Sequence, residues 1–512
     1  MTSPDGELGD QLSPASTLSE RDVAVFWHPC SQMSDYRDFP LLEIVGARGA
    51  RLMLADGREV LDAISSWWCK SLGHGHAGVR ARIEKQLARF EHIIAANTTH
   101  QALVELCERL LVMANTAHRG GDGHGQVSSS GARSDGVAAW PDRGGHFGKV
   151  FLADNGSTAV EVAMKMALQA QAQRGQPGRT KFAALAGGYH GETIATLSAG
   201  DLGLYADPYR PLMFPVHKLT PIPYRVGSHD PAWQDAAPEW EAIERALAPI
   251  AGELAAIIYE PVLQAAGGMR LYSPDLLRRL RKFADQHNVF LIADEIAAGM
   301  GRLGTMLASR LADQPPARPA ATGADASEPP SSPAAATLPD FAVFSKGLTA
   351  GFLPLSAVLT TDAIYQHFYG AWSDRLAFLH SNTYTANALA VAAALGALDA
   401  YDNEGVLAAV NTEGPRLLHS LTEVARTSRV LTGVRGLGMM AAVDLCTRDG
   451  RPFEASARMG RQVFREAVKR GALLRPLGDT LYLFPPLNTP AGELDAMVDI
   501  LAASVAAVVP GG

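Results

Sequence analysis

Between residues 149 and 360 the chain alternates short apolar runs with longer stretches of helical spacing, and few folds accept that pattern. Lys149–Ala153, Lys181–Leu185, Leu254–Tyr259, Val289–Ala293, Phe341–Phe344 and Pro354–Thr360 read as strands. Runs this short, with no polar face, suit strands covered on both sides by helices. Ala159–Ala172 and Pro274–Gln286 carry helical spacing between them, the second with proline at its start. Alternation of this kind predicts an α/β fold with a largely parallel sheet. The carboxyl ends of the strands then share one edge, where ligands bind.

The residues at those ends are therefore the informative ones. Phe341–Phe344 runs into Ser345-Lys346-Gly347. A lysine there either caps a strand at the surface or presents an amine to an aldehyde cofactor. Lys149–Ala153 runs into the turn Asp154-Asn155-Gly156-Ser157-Thr158, ahead of a helix. Free N–H groups and the positive end of the helix dipole favour a phosphate there, although Ser or Thr before a helix is more often only a cap. Lys181–Leu185 leads to Tyr189, bracketed by glycines, where an aromatic face can be presented or can simply pack the loop. Val289–Ala293 ends on Asp294-Glu295. A carboxylate at a buried strand end needs a cationic partner, either an arginine such as Arg302 or a protonated ring nitrogen. Taken together, a phosphate nest, an aromatic face, a buried carboxylate and an amine are what pyridoxal phosphate requires.

The remaining sequence bounds the setting. The 512 residues suffice for a large core and two domains. A net charge of −8 gives no reason to expect nucleic acid or an anionic membrane as partner. Cys30, Cys69, Cys107 and Cys446 have no paired spacing, which predicts neither disulfides nor a metal site and fits a reducing, cytoplasmic compartment. No apolar stretch is long enough to span a bilayer, and the polar start is not expected to be a signal peptide. His74 and His76, in a Gly-rich turn, read as loop residues. Leu42–Leu54 and Arg58–Asp62 read as short strands, Gly78–Phe90 and Gln101–Met113 as helices, and Asn387–Tyr401 as a long Ala-rich helix. The adjacent Trp67 and Trp68 cannot share one face of a regular element, so one is expected to face a cleft or interface. Residues 1–22 read as a disordered tail, and about 118–147 and 311–338 as flexible insertions.

Asp294-Glu295-Ile296-Ala297-Ala298-Gly299-Met300-Gly301-Arg302 followed by Phe344-Ser345-Lys346-Gly347-Leu348 resembles the signature of the class III aminotransferases. Trp27-His28-Pro29, Ser66-Trp67-Trp68, Gly188-Tyr189-His190-Gly191-Glu192, Glu260-Pro261-Val262-Leu263-Gln264 and Arg475-Pro476 extend the likeness from about Val25 to the C-terminus. The resemblance implies a fold type I, pyridoxal-phosphate-dependent transferase. It implies a mainly parallel large domain at 76–385 and a smaller α+β domain built from 23–75 and 386–512. By resemblance Lys346 binds the cofactor covalently, Asp294 pairs with its ring nitrogen, Tyr189 stacks on the ring, and Gly156 and Ser157 hold its phosphate. Asn382 and Thr383 would add phosphate contacts from the other subunit of a homodimer. Trp67, Trp68, Tyr189, Ser381, Arg475, Arg302 and Tyr482 match substrate positions, with Arg475 suited to a carboxylate. Gln264 is a candidate for the cofactor's phenolic oxygen. Within the family the stretches are most similar to the branch that moves an amino group from S-adenosylmethionine to 8-amino-7-oxononanoate in biotin synthesis. A transaminase acting on ω-amino acids or diamines, and an aminomutase, are the alternatives. Cys30 stands where that branch carries Tyr, Ser381 where Gly is common, and Asn382 where Pro is.

Overall fold

The computed structural model describes residues 17–116, 146–314 and 337–509. Among these, seven strands form the main sheet. Their order in space is Lys149–Ala153, Ser356–Thr360, Phe341–Phe344, Phe290–Asp294, Leu254–Tyr259, Lys181–Leu185 and His217–Leu219. Ser356–Thr360 is antiparallel to both its neighbours, and the other pairings are parallel. The six strands expected between residues 149 and 360 are present, within two residues at their ends, whereas the run expected at 42–54 is split into the hairpin Ile44–Arg48 and Arg51–Leu54.

Burial on both faces explains why the strands carry no polar alternation. Along Leu254–Tyr259 every residue is buried. Leu254, Ile257 and Tyr259 join one core, while Ala256 and Ile258 join the core on the opposite face. The helix Gly156–Gln173 covers the second face through Val160, Ala163 and Ala167. Asp275–His287 covers the first through Leu276, Leu280 and Phe283, and Pro274 stands just before its first residue.

The two chain ends meet in one small sheet. Ile44–Arg48, Arg51–Leu54 and Glu59–Asp62 form antiparallel pairs, and Ala472–Leu473 adds in parallel beside Glu59–Asp62. Leu431–Gly436, Ala441–Leu445 and Thr480–Leu483 form a further antiparallel sheet. Helices Val406–Thr427, Met459–Arg470 and Ala491–Val508 pack here around Leu417, Val463 and Leu501.

One expectation needs correcting. The tail assigned to residues 1–22 ends in structure, because Leu18–Val25 is a helix. Thr17 and Glu20 form a reciprocal capping box that satisfies its first donors. Residues 1–16 and most of the two insertions lie outside the described residues. Of the second insertion, residues 311–313 complete the 3-10 turn Ala308–Asp313, and Thr337 and Leu338 are buried.

Candidate active site

Parallel pairing brings the strand ends together across long sequence distances. Asp294, the last residue of its strand, is in register with Val343, and Lys346 follows three residues later. The side chains cluster at the carboxyl edge of the sheet, around a cavity of about 200 Å³. Gly156, Ser157, Tyr189, His190, Glu260, Asp294 and Lys346 all border it.

Lys346 begins the 3-10 turn Lys346–Thr349 with a φ of 42°. Left-handed backbone costs a non-glycine residue about 1–2 kcal/mol, so the turn must be held from outside. Ser345 Oγ anchors it by donating to Leu355 O at 2.8 Å. The amine lies 4.9 Å from the Trp68 ring centroid. Desolvation pushes Lys346 below its ordinary pKa, while Asp294 and Glu260 oppose that shift.

Asp294 has a protein partner that the sequence reading did not name. His190 Nδ1 lies 2.8 Å from Asp294 Oδ2, and Ile296 N donates to Oδ1 at 3.2 Å. In the sequence the glycine-bracketed loop marks Tyr189, and nothing local distinguishes its neighbour His190. Glu260 is a second buried carboxylate beside Asp294, one to which the sequence pattern assigns no role. It stands directly after the buried strand Leu254–Tyr259, as Asp294 stands at the end of its own, so the strand-end pattern marks both. Its two oxygens accept from Tyr189 N at 2.9 Å and Ala265 N at 3.1 Å. Burial and Asp294 nevertheless push it up to about 8.

At the far side the helix begins at Gly156, three residues earlier than its apolar spacing predicts, because Asn155 caps it by accepting from Thr158 N at 3.0 Å. Gly156 and Ser157 thereby become its first two residues, whose N–H groups have no acceptor within the helix. Space is tight: a Cβ on Gly156 would meet Ile296 Cδ1 at 2.8 Å, and one on Gly191 would strike Ser157.

A second, larger cleft of about 1020 Å³ opens beyond Lys346, Trp68 and Tyr189, which border both spaces. Arg475 lies on its wall, with the guanidinium 4.2 Å from the Trp67 ring centroid and Nη2 donating to Cys30 O at 3.2 Å. Trp68 Nε1 donates to Tyr482 Oη at 3.1 Å. Tyr189 Oη donates to Glu192 Oε1 at 2.9 Å, and Cys30 Sγ approaches the same oxygen at 3.8 Å. Burial and Glu192 raise the Cys30 thiol.

The tryptophan pair diverges for a backbone reason. Ser65, Ser66, Trp67 and Trp68 have φ of 49°, 44°, 71° and 71°, a turn of left-handed hand. Trp68 is buried against Tyr482 and Phe484, whereas Trp67 is 40% exposed.

Several expected residues lie elsewhere. Arg302 is buried away from both spaces. Its Nη1 donates to Met439 O and Pro485 O, each at 2.7 Å, and the guanidinium stacks 3.8 Å from the Phe484 centroid. It ties the main sheet to the C-terminal region, which corrects its assignment to the substrate pocket. Gln264 holds Tyr224 Oη at 2.6 Å and Ala186 O at 2.8 Å. Ser381, Asn382 and Thr383 border neither space among the described residues. Ser381 and Thr383 are exposed, on the segment before the helix Ala388–Asn403.

The family model for class-III aminotransferases matches residues 33–317 and 333–505. The chain belongs to the class-III aminotransferases. Proteins named adenosylmethionine-8-amino-7-oxononanoate aminotransferase are among its relatives. That of Helicobacter pylori is 33% identical over 473 residues, 92% of this chain and 93% of its own. That of Synechococcus elongatus is 35% identical over 484 residues, 93% of this chain and 98% of its own. A solved structure of that name from Methanocaldococcus jannaschii superposes with a TM-score of 0.80 at 27% identity, covering 96% of this chain and 99% of that one. An amine transaminase from an uncultivated Pseudomonas species, solved with pyridoxal phosphate bound, gives 0.77 at 30% identity over 94% and 99%.

The cofactor of a class-III aminotransferase is pyridoxal phosphate, and the residues present fit it. Helix-end donors stand at one side of the smaller cavity, the Asp294–His190 pair at another, and a desolvated amine at its junction with the cleft. The glycine contacts leave room for backbone, but not side chain, beside a phosphate.

Proposed function

We propose that this aminotransferase moves the amino group of S-adenosylmethionine to 8-amino-7-oxononanoate, giving 7,8-diaminononanoate, a step of biotin synthesis. The observation that carries the reading is the continuity of the two spaces at Lys346, with Arg475 on the wall of the outer one. Eight curated relatives at 27–35% identity carry a name that states this transfer.

Pyridoxal phosphate, when bound, supplies an electron-withdrawing ring that stabilises negative charge on the carbon losing its proton. Lys346 would bind that cofactor and act as the base, since its lowered pKa leaves more of the amine neutral. Asp294, oriented by His190, would keep the ring nitrogen protonated. The Gly156 and Ser157 amides would hold the phosphate, and Tyr189 would pack against the ring. Arg475 would take the carboxylate of each substrate in turn, backed by Trp67. Trp67, Trp68 and Tyr482 would line the path of the acceptor's methylene chain, whose burial contributes roughly 0.8 kcal/mol per CH₂.

The reading includes a cytoplasmic homodimer in which Asn382 and Thr383 of one copy serve the phosphate end of the other. Tyr369, Trp372, Leu379 and Tyr384 support it, being large, apolar and exposed around these residues, Trp372 at 82%. The domain division at about residues 75 and 385 belongs to the same reading. A Trp372→Asp variant should run as a monomer in light scattering and bind cofactor less tightly.

The deciding experiment is spectroscopic. S-adenosylmethionine alone should remove the visible band of the holoenzyme, and 8-amino-7-oxononanoate should restore it. Conversion by lysine or a diamine, with no response to S-adenosylmethionine, would overturn the donor assignment. Lys346→Ala should abolish turnover in a folded protein.

A further inference from the structure

Four consecutive non-glycine residues in left-handed backbone do not hold themselves, and the structure supplies a clamp for them. We propose that Asp62 and His74 are positioning residues for substrate, holding the turn Ser65–Trp68 so that its two tryptophans reach different parts of the cleft. The inference rests on that cleft being where the substrates of the proposed transfer bind.

Asp62 is fully buried and borders neither space among the described residues. Its Oδ1 accepts from Ser66 N at 2.9 Å. Its Oδ2 accepts from Ser66 Oγ at 2.7 Å and faces His74 Nε2 at 2.9 Å. One carboxylate thus grips both backbone and side chain of the residue with the smallest positive φ in the turn. A buried carboxylate persists only where its oxygens are satisfied, and here the turn and His74 satisfy them. On the other side Ser65 Oγ donates to Phe484 O at 2.7 Å.

The clamp is itself fixed on two sides. His74 exchanges backbone hydrogen bonds with Gly49, N to O at 2.8 Å and O from N at 3.0 Å. Asp62 pairs in parallel register with Leu473, and two residues beyond Leu473 stands Arg475. The strand end carrying the clamp is therefore registered against the segment carrying the cleft's arginine. The result is a paired placement. Trp68 faces the Lys346 amine and donates to Tyr482, while Trp67 lies beneath the Arg475 guanidinium. A turn of the opposite hand would redirect both rings and take Trp67 off Arg475.

The test compares holoenzymes carrying Asp62→Asn, Trp67→Ala and both changes, with near-ultraviolet circular dichroism of each protein without substrate. Asp62→Asn should raise KM about tenfold for both substrates with kcat changed less than about threefold, and add less than about twofold in the Trp67→Ala background. Its tryptophan dichroism should fall to the level of Trp67→Ala. An equal KM factor in both backgrounds, or unchanged dichroism, overturns the proposal. Should Asp62→Asn fail to fold, His74→Leu should show the same split and His74→Gln should restore it; no loss in His74→Leu overturns it equally. If the wild type does not turn over the substrate pair, the substrate reading fails by itself, and the dichroism still decides the clamp.

Discussion

His190 Nδ1 stands 2.8 Å from Asp294 Oδ2, with both side chains buried at the carboxyl edge of the main sheet. The bond restrains the carboxylate from the side opposite Lys346's strand and leaves Asp294 little freedom to rotate. His190→Phe keeps a ring in the space and removes the bond. A hydrogen bond to a charged group contributes about 1.5–3 kcal/mol, so kcat should fall roughly 10- to 100-fold. Asp294→Asn should cost more, because it keeps a partner for His190 but removes the negative charge that would hold the cofactor's ring nitrogen protonated. Steady-state kinetics on protein of matched cofactor content would check the order of the two effects.

Arg475→Lys should raise KM roughly 10- to 100-fold for carboxylate substrates, since an ammonium forms neither the two-pronged contact nor the flat stack on Trp67. The kcat should change less. A substrate analogue with an amide in place of the carboxylate should bind wild type and variant alike, and isothermal calorimetry would read this directly.

Arg302→Met should act on stability and leave substrate affinity alone. It removes two buried bonds, to Met439 O and Pro485 O, and a stack on Phe484. Breaking a buried network of this kind costs about 3 kcal/mol or more. Thermal melting should show the loss, and KM of the folded fraction should stay within about twofold. A large KM change with an unaltered melting point would return Arg302 to the substrate pocket.

Glu260 predicts a pH dependence in the cofactor-free protein. Burial raises it from an ordinary 4.5 to about 8, so the folded chain holds this proton more tightly than the unfolded chain. The contribution to stability is complete below about 4.5 and is lost as pH rises through about 8. The melting temperature of Glu260→Gln should therefore fall less than that of the wild type between about pH 5 and about pH 8.

The fold class, the strand positions and the strand-end residues were legible in the sequence because each depends on local pattern. A strand buried on both faces must be an apolar run, and Leu254–Tyr259 is one whatever surrounds it. Lys346, Asp294, Gly156 and Tyr189 followed from standing just after such runs, and the long separation between Asp294 and Lys346 did not hide them. The helix start moved to Gly156 because a cap, not apolar spacing, sets it.

Partner choice was not legible, because it depends on register and on backbone hand. Arg302 and His190 were both possible partners for Asp294 in one dimension. Packing of the C-terminal region sent Arg302 to Met439 and Pro485, and the loop bracketed by glycines brought His190 to Asp294. Two adjacent tryptophans announced that they must diverge, but not which way. That direction comes from four positive φ angles held by Asp62, a residue the local sequence marks only as the end of a strand. Side-chain pattern sets what is buried, and so the chain alone determined its sheet and the residues at that edge. Contacts between segments hundreds of residues apart set which charges meet and where Trp67 and Arg475 stand in the cleft.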